Sequence, residues 1–340
     1  MGEKLVEVIR GDLVESSHYG HIVISDNEGK VKRFWGNPNK VIFPRSSCKM
    51  IQALPLIESG SADFYNLDSS HLALACASHT GGEQHLKVAK DWLQKLKLDP
   101  KDLLCGPHKP EDKEELRNLN NNGFHPTQLH NNCSGKHLGF LAVSKYLQGG
   151  LYTKKDYVSM GHPVQVMVKK VFEEMTGMMD PKFALDGCSA PNFTCTVKSL
   201  ARSMANLAKP VGFSNERKIA IKRLKESVLK NPFLIAGKDR LCTQIMKKGA
   251  RRVIVKVGAE GVYTAILLEE GLGVALKVSD GSRRAAECLI VTILVRLGIL
   301  NESDPEIKYL LRKPIINWAN HTTGVLKAVN TVWERGTPLS

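Results

Sequence analysis

The spacing of apolar positions changes character along the chain, from period two to the helical period and back. Leu5-Val6-Glu7-Val8-Ile9 reads as a strand and His21-Ile22-Val23-Ile24-Ser25 as a second. Asp26-Asn27-Glu28-Gly29 is a turn into a third, around 31–35. Helical spacing then takes over. Thr80-Gly81-Gly82-Glu83 is a T-x-x-E capping box ahead of Leu86, Ala89, Trp92, Leu93 and Leu96. Pro163 opens a helix with Val164, Met167, Val168, Val171, Phe172 and Met175 on one face. Ser214 caps another, with Ile221, Leu224 and Val228 inward. Strand patterns return at 252–257, 262–268 and 273–278, with Glu270-Gly271-Leu272-Gly273 as a turn. An apolar helix follows Asp280-Gly281-Ser282 through about Leu297, and 324–333 reads as a last strand.

Strands at both ends with helices between predict an α+β fold. An antiparallel sheet forms from the N- and C-terminal strands, is flanked by helices and receives a helical insertion. A parallel dinucleotide-binding fold would alternate strand and helix throughout, and this chain does not. The expectation is one large domain over 1–340, mixed sheet and helix at 1–60 and 250–340 and mainly helical at 61–249.

Apolar residues make up 42% and charged residues 24%, enough for a real core and too apolar for global disorder. The 48 Lys+Arg against 34 Asp+Glu leave +14, which raises the question of an anionic partner. The basic runs Lys222-Arg223-Leu224-Lys225, Lys247-Lys248 with Arg251-Arg252, and Arg283-Arg284 are short and carry no interleaved aromatics. They read as solvated faces, with nucleic-acid binding as the competing reading and no nucleic-acid partner expected. The longest apolar stretch, Cys288 to Val295, is broken by Thr292 and stopped by Arg296, far short of the ~20 residues of a membrane span. Residues 1–20 carry acidic side chains and Arg10, unlike a secretory signal. The cysteines at 48, 76, 105, 133, 188, 195, 242 and 288 include no C-x-x-C pair. A reduced, cytoplasmic thiol set is expected.

Two motifs fail on inspection. Gly271-Leu272-Gly273 has Leu276 where a dinucleotide fingerprint needs glycine. Gly135-Lys136-His137 lacks both the upstream glycine and the hydroxyl of a P-loop.

Four groups survive. Ser46 and Lys49 form S-x-x-K within Phe43-Pro44-Arg45-Ser46-Ser47-Cys48-Lys49, and three residues apart on a helix is one face. A serine nucleophile needs a base. A lysine with its ordinary pKa of ~10.4 is almost wholly protonated at pH 7, so the site must offset roughly 4 kcal/mol. The plainer reading is a capping serine and a solvated lysine. Lys256-Val257-Gly258, ending a late strand, resembles the K-T-G that accompanies S-x-x-K in serine β-lactamases. His130-Asn131-Asn132-Cys133-Ser134-Gly135-Lys136-His137 and Asp186-Gly187-Cys188-Ser189 are two polar knots. Thiolates from two loops suit Zn²⁺, and inert buried cysteines are the alternative. Ala75-Cys76-Ala77-Ser78-His79 follows an apolar helical run and offers Ser78 as a site residue or a plain helix-end serine.

Together these segments resemble the thermolabile, rhizobial-type L-asparaginases. The matching pieces add Val14-Glu15-Ser16 through His18, Gln52-Ala53-Leu54-Pro55-Leu56, Gly258-Ala259-Glu260-Gly261 and Asp280-Gly281, in order along nearly the whole chain. The resemblance implies hydrolysis of L-asparagine to L-aspartate and ammonia on a fold similar to serine β-lactamases and serine-dependent glutaminases. It implies two Ser–Lys pairs, Ser46 with Lys49 and Ser78 with Lys256. It implies zinc held by Cys133, Lys136 and Cys188, with a lysine ligand that must be a neutral amine. Arg45, Lys136, His137 and Asp186 fall at substrate-binding positions, and a homodimer is implied. Val257 removes the hydroxyl of K-T-G, and Met50 stands where a proline is expected. A glutaminase or other small amidase is the alternative, since one methylene is worth only about 1–3 kcal/mol of discrimination.

Overall fold

The computed structural model describes residues 2–149 and 156–334. Its chain divides into two compact units. One comprises Met1–Ser47, Cys195–Val211 and Ile245–Ser340; the other comprises Cys48–Thr194 and Gly212–Gln244.

The first unit is built on an eight-stranded antiparallel sheet. Seven strands run in the order Arg312–Ile316, Thr322–Ala328, Glu3–Arg10, Leu13–Asp26, Leu272–Val278, Val262–Leu267, Val253–Gly258, and Val31–Trp35 pairs separately with Leu13–Asp26. The sheet is thus made from both ends of the chain, as the pattern predicts. Leu13–Asp26 is long enough to pair with Glu3–Arg10 through its first half and with Leu272–Val278 through its second. The helix Val197–Ala208 packs on that second pairing. Gly273 permits the approach, because a Cβ there would sit 2.0 Å from the Ala201 carbonyl oxygen. The apolar helix Arg283–Arg296 is capped by Ser282, whose hydroxyl accepts from the Ala285 amide.

The second unit is helical, apart from the small hairpin Phe183–Leu185 with Pro191–Phe193. Pro163–Thr176 starts at its proline and buries Val164, Val168, Val171, Phe172 and Met175. Asn215–Lys230 is capped by Ser214 and buries Ile221, Leu224 and Val228. These are the expected faces, except that Met167 is only half-buried.

Two local expectations change. The helix Glu83–Leu96 has Gly82 at its cap, with no side-chain cap bond, so Thr80 and Glu83 form no capping box. Gly81 turns the chain at φ 77° and leaves Thr80 Oγ1 buried without a partner. The final strand stops at Ala328, and Asn330–Glu334 is helical.

The basic runs are ion-paired. Arg223 grips Asp63 at 2.7 and 3.0 Å, Lys248 meets Asp304 at 2.7 Å, and Arg252 meets Glu269 and Glu270 at 2.7 Å each. Arg283 pairs with Glu287 at 2.8 Å. No described helix is long and apolar enough to cross a membrane.

Candidate active site

The sheet unit carries Arg45, Ser46 and Lys256. Arg45–Cys48 is a turn of 3₁₀ helix, continued by the α-helix Lys49–Gln52. The S-x-x-K spacing therefore spans a change of helix type. Arg45 holds a left-handed φ of 53°, which costs a non-glycine residue about 1–2 kcal/mol and is typical of over-determined functional turns. The Pro44 carbonyl accepts from the Ser47 amide at 3.2 Å and hydroxyl at 2.7 Å. Gly258 leaves room for that carbonyl, which a Cβ would meet at 2.7 Å. Thr264 Oγ1 lies within donating reach of the Lys256 carbonyl at 3.2 Å and the Ser47 carbonyl at 3.4 Å. It ties the strand of Lys256 to the segment of Ser46. Lys256 is buried, and its Nζ donates to the Val257 carbonyl at 3.0 Å. Ser46 is part-exposed.

The helical unit carries the other residues. Asp68 caps the helix Ser69–Ala75 through the amides of Ser70 and His71. Beyond it, the Ser78 amide donates to Ile235 O at 2.9 Å and the His79 amide to Asn132 O at 3.3 Å. Lys49 is completely buried. Its Nζ donates to Ala77 O, to Ser78 Oγ at 3.1 Å and to Asn132 O at 3.5 Å. Three acceptors thus surround its Nζ.

Cys133 stands at the start of the helix Ser134–Leu147. Gly135 lets this helix touch the end of Ser69–Ala75, because a Cβ there would lie 2.1 Å from the Leu74 carbonyl oxygen.

Cys188 sits in the turn of the small hairpin. Asp186 shapes that turn: its amide donates to Ala190 O at 2.9 Å, its carbonyl accepts from Ser189 at 2.9 Å, and its Oδ1 accepts from Gly187 at 2.7 Å. Lys136 Nζ donates to Cys188 Sγ at 2.9 Å, and the Cys133 thiol hydrogen-bonds to the same sulfur. All three side chains are buried. The hydrogen bond from Cys133 holds Cys188 well below the ordinary thiol range, against burial and with help from Lys136. The same bond, with burial, pushes Cys133 up. Burial opposes the Lys136 charge, but Cys188, Cys133 and Asp186 outweigh it and raise the lysine. These directions favour a charged amine beside a Cys188 thiolate, where the metal reading expects a neutral amine. Among the described residues no three His, Cys, Asp or Glu side chains gather at one point; this cluster is two sulfurs and an amine.

Burial, followed by the Lys136 charge, brings His137 down to about 3. Its Nδ1 meets Tyr157 Oη at 2.7 Å, and that oxygen also accepts from the Leu104 amide at 2.7 Å. The ring's Nε2 is buried without a partner.

The structure thus joins Lys49 with Ser78, and Cys133 with Lys136 and Cys188. Ser46 and Lys256 share the sheet unit. The sequence reading gave no role to Thr264, Gly135, His79 or the Asn132 carbonyl. Only Gly135 left a signal: a glycine in the first turn of a helix.

The chain belongs to the L-asparaginase II family, whose model matches residues 6–328. It is accordingly an asparaginase- or amidase-like hydrolase on an α+β frame. No curated protein matches it in sequence. Among solved structures it is similar to a β-lactamase from Mycobacterium bovis (14% identity, 78% of this chain and 89% of that one, TM-score 0.43). It is similar also to a Bacillus glutaminase (13%, 78% and 85%, 0.35) and to a D-alanine carboxypeptidase from Burkholderia cenocepacia (14%, 77% and 88%, 0.38).

Proposed function

We propose that this protein hydrolyses L-asparagine to L-aspartate and ammonia through a serine acyl-enzyme. The observation that carries the reading is the buried Lys49–Ser78 hydrogen bond in a chain of the L-asparaginase II family. A lysine fully removed from water and aimed at a serine hydroxyl is equipment for moving a proton.

Ser46 is the nucleophile and attacks the side-chain amide carbonyl. Lys49, as the neutral amine, takes its proton. Backbone N–H groups stabilise the oxyanion. Ser78, with Lys49 on one side of its exchange and Lys256 as its second lysine, returns a proton to the departing ammonia. Water then cleaves the ester. Arg45 and Asp186 answer the α-carboxylate and α-amino groups of the substrate, and His137 offers its unpartnered Nε2.

The donor set of Cys133, Lys136 and Cys188 fits Zn²⁺. Two sulfurs and an amine already converge, in a buried place, from a helix start and a hairpin turn. Zinc bound there would supply a fixed positive charge that orients the substrate. Its binding requires the Lys136 proton to leave, which couples occupancy to pH. We further propose a homodimer in the cytoplasm. None of the eight cysteines is in a disulfide, which suits that compartment.

Ammonia release from asparagine and from glutamine tests the reading. The expected result is a clear preference for asparagine in kcat/KM. Equal or inverted preference would reassign the protein to the other amidases of this scaffold.

A further inference from the structure

We propose that His79 is a positioning residue for this reaction, whose ring fixes the loop of Ser78 to the start of the helix that carries Cys133 and Lys136. The inference rests on the function proposed above.

The ring's hydrogen bonds define its tautomer. The Gly81 amide donates to Nδ1 at 3.1 Å, so Nδ1 carries the lone pair and Nε2 the hydrogen. Nε2–H donates to Ser134 Oγ at 2.8 Å. Ser134 is the first residue of its helix and adjoins Cys133. The His79 amide donates to Asn132 O at 3.3 Å, and the same carbonyl lies 3.5 Å from Lys49 Nζ. Residues 77–79 and 132–134 are therefore joined by main chain, by Lys49 and by the imidazole.

The ring is held in place. It is 2% exposed and stacks on His85 with centroids 5.0 Å apart, and His85 stacks on Phe233 at 5.1 Å. Burial, with the neighbouring His85 and Lys49, keeps the imidazole neutral. A neutral ring with both nitrogens committed has one geometry. It sets the distance between the hydroxyl of Ser78 and the sulfur–amine cluster.

Three variants test this. His79→Leu removes both ring bonds, Ser134→Ala removes the acceptor alone, and His79→Gln restores an N–H near the Nε2 position. Each is compared with the wild type in kcat and KM for asparagine, in Zn²⁺ affinity against a chromophoric chelator, in melting temperature, and in hydrogen exchange of the Ser78 and His79 amides. His79→Leu and Ser134→Ala should each lower kcat and Zn²⁺ affinity about 10-fold or more, the scale of supporting-shell losses. KM should change less than kcat, amide exchange should quicken, and His79→Gln should recover most of each loss.

Wild-type kcat, Zn²⁺ affinity and exchange in Ser134→Ala would overturn the proposal, and that variant decides the matter if His79→Leu does not fold. Equal losses in His79→Gln and His79→Leu, in step with melting temperature, would overturn it as well. If the wild type releases no ammonia from asparagine, the functional reading fails by itself. Exchange at Ser78 and His79, which needs neither substrate nor metal, still decides the link.

Discussion

Lys49 Nζ donates to Ser78 Oγ across 3.1 Å inside the helical unit. Sequence spacing alone couples Lys49 to Ser46. The hydrogen bond adds Ser78 as a direct exchange partner of the same amine.

Lys49→Met keeps the side-chain length and removes the proton carrier. The expected fall in kcat is about 10³-fold, at the strong end of general-base losses. The Ala77 carbonyl also loses this donor, while Asn132 O keeps the His79 amide, so stability should fall by about 1–3 kcal/mol. Steady-state kinetics and a denaturant melt on the same sample check both parts. Activity within tenfold of wild type would remove Lys49 from the chemistry.

Cys188→Ser replaces the sulfur on which Lys136 and Cys133 converge. Zn²⁺ should bind at least about 10-fold more weakly, since a hydroxyl is a poorer ligand than a thiolate. In kinetics, KM should rise more than kcat falls, because the proposed role is orientation. Metal analysis with substrate titration measures this. A dead variant with unchanged substrate binding would assign the metal a part in bond cleavage.

Acid should destabilise the fold through its buried histidines. Burial pushes His85 down to about 4, and His137 to about 3. Each binds a proton more readily in the unfolded chain than in the folded one. The stability they permit is therefore fully present above pH ~6.5 and is lost as pH falls toward those folded values, by up to ~1.4 kcal/mol per pH unit for each. His85→Gln should flatten the melting profile between pH 6.5 and 4 by about one such share. An unchanged slope would show that His85 does not titrate in unfolding.

Gly135→Ala should cost about 2–4 kcal/mol, since its Cβ would meet a backbone oxygen that cannot turn aside. Zn²⁺ affinity should fall with it, because Lys136 is the next residue. Chemical denaturation and metal titration read the two effects. A neutral substitution would mean that the helix can draw back without disturbing the site.

Much of the fold is legible in residue patterning. The strands of both chain ends alternate or run apolar where they are buried, and Pro163, Ser214 and Ser282 mark helix starts through local chemistry. Thr80 misled because Gly81 takes a left-handed turn that its T-x-x-E spacing does not reveal. The site was legible in its reactive residues and opaque in their supports. Thr264 looks like any strand threonine, and His79 like any residue after a serine. Their roles come from carbonyls and hydroxyls that only the folded chain brings near: Ser47 O for one, Ser134 Oγ for the other.

The most direct test of the account is ammonia release from L-asparagine by wild type, Ser46→Ala and Ser78→Ala, with zinc measured on the same samples. The wild type should turn over. Ser46→Ala should lose at least about 10⁴-fold in kcat while still binding substrate, and Ser78→Ala should lose about 10²–10³-fold. Near wild-type turnover by Ser46→Ala, or no ammonia from zinc-loaded wild type, would contradict it.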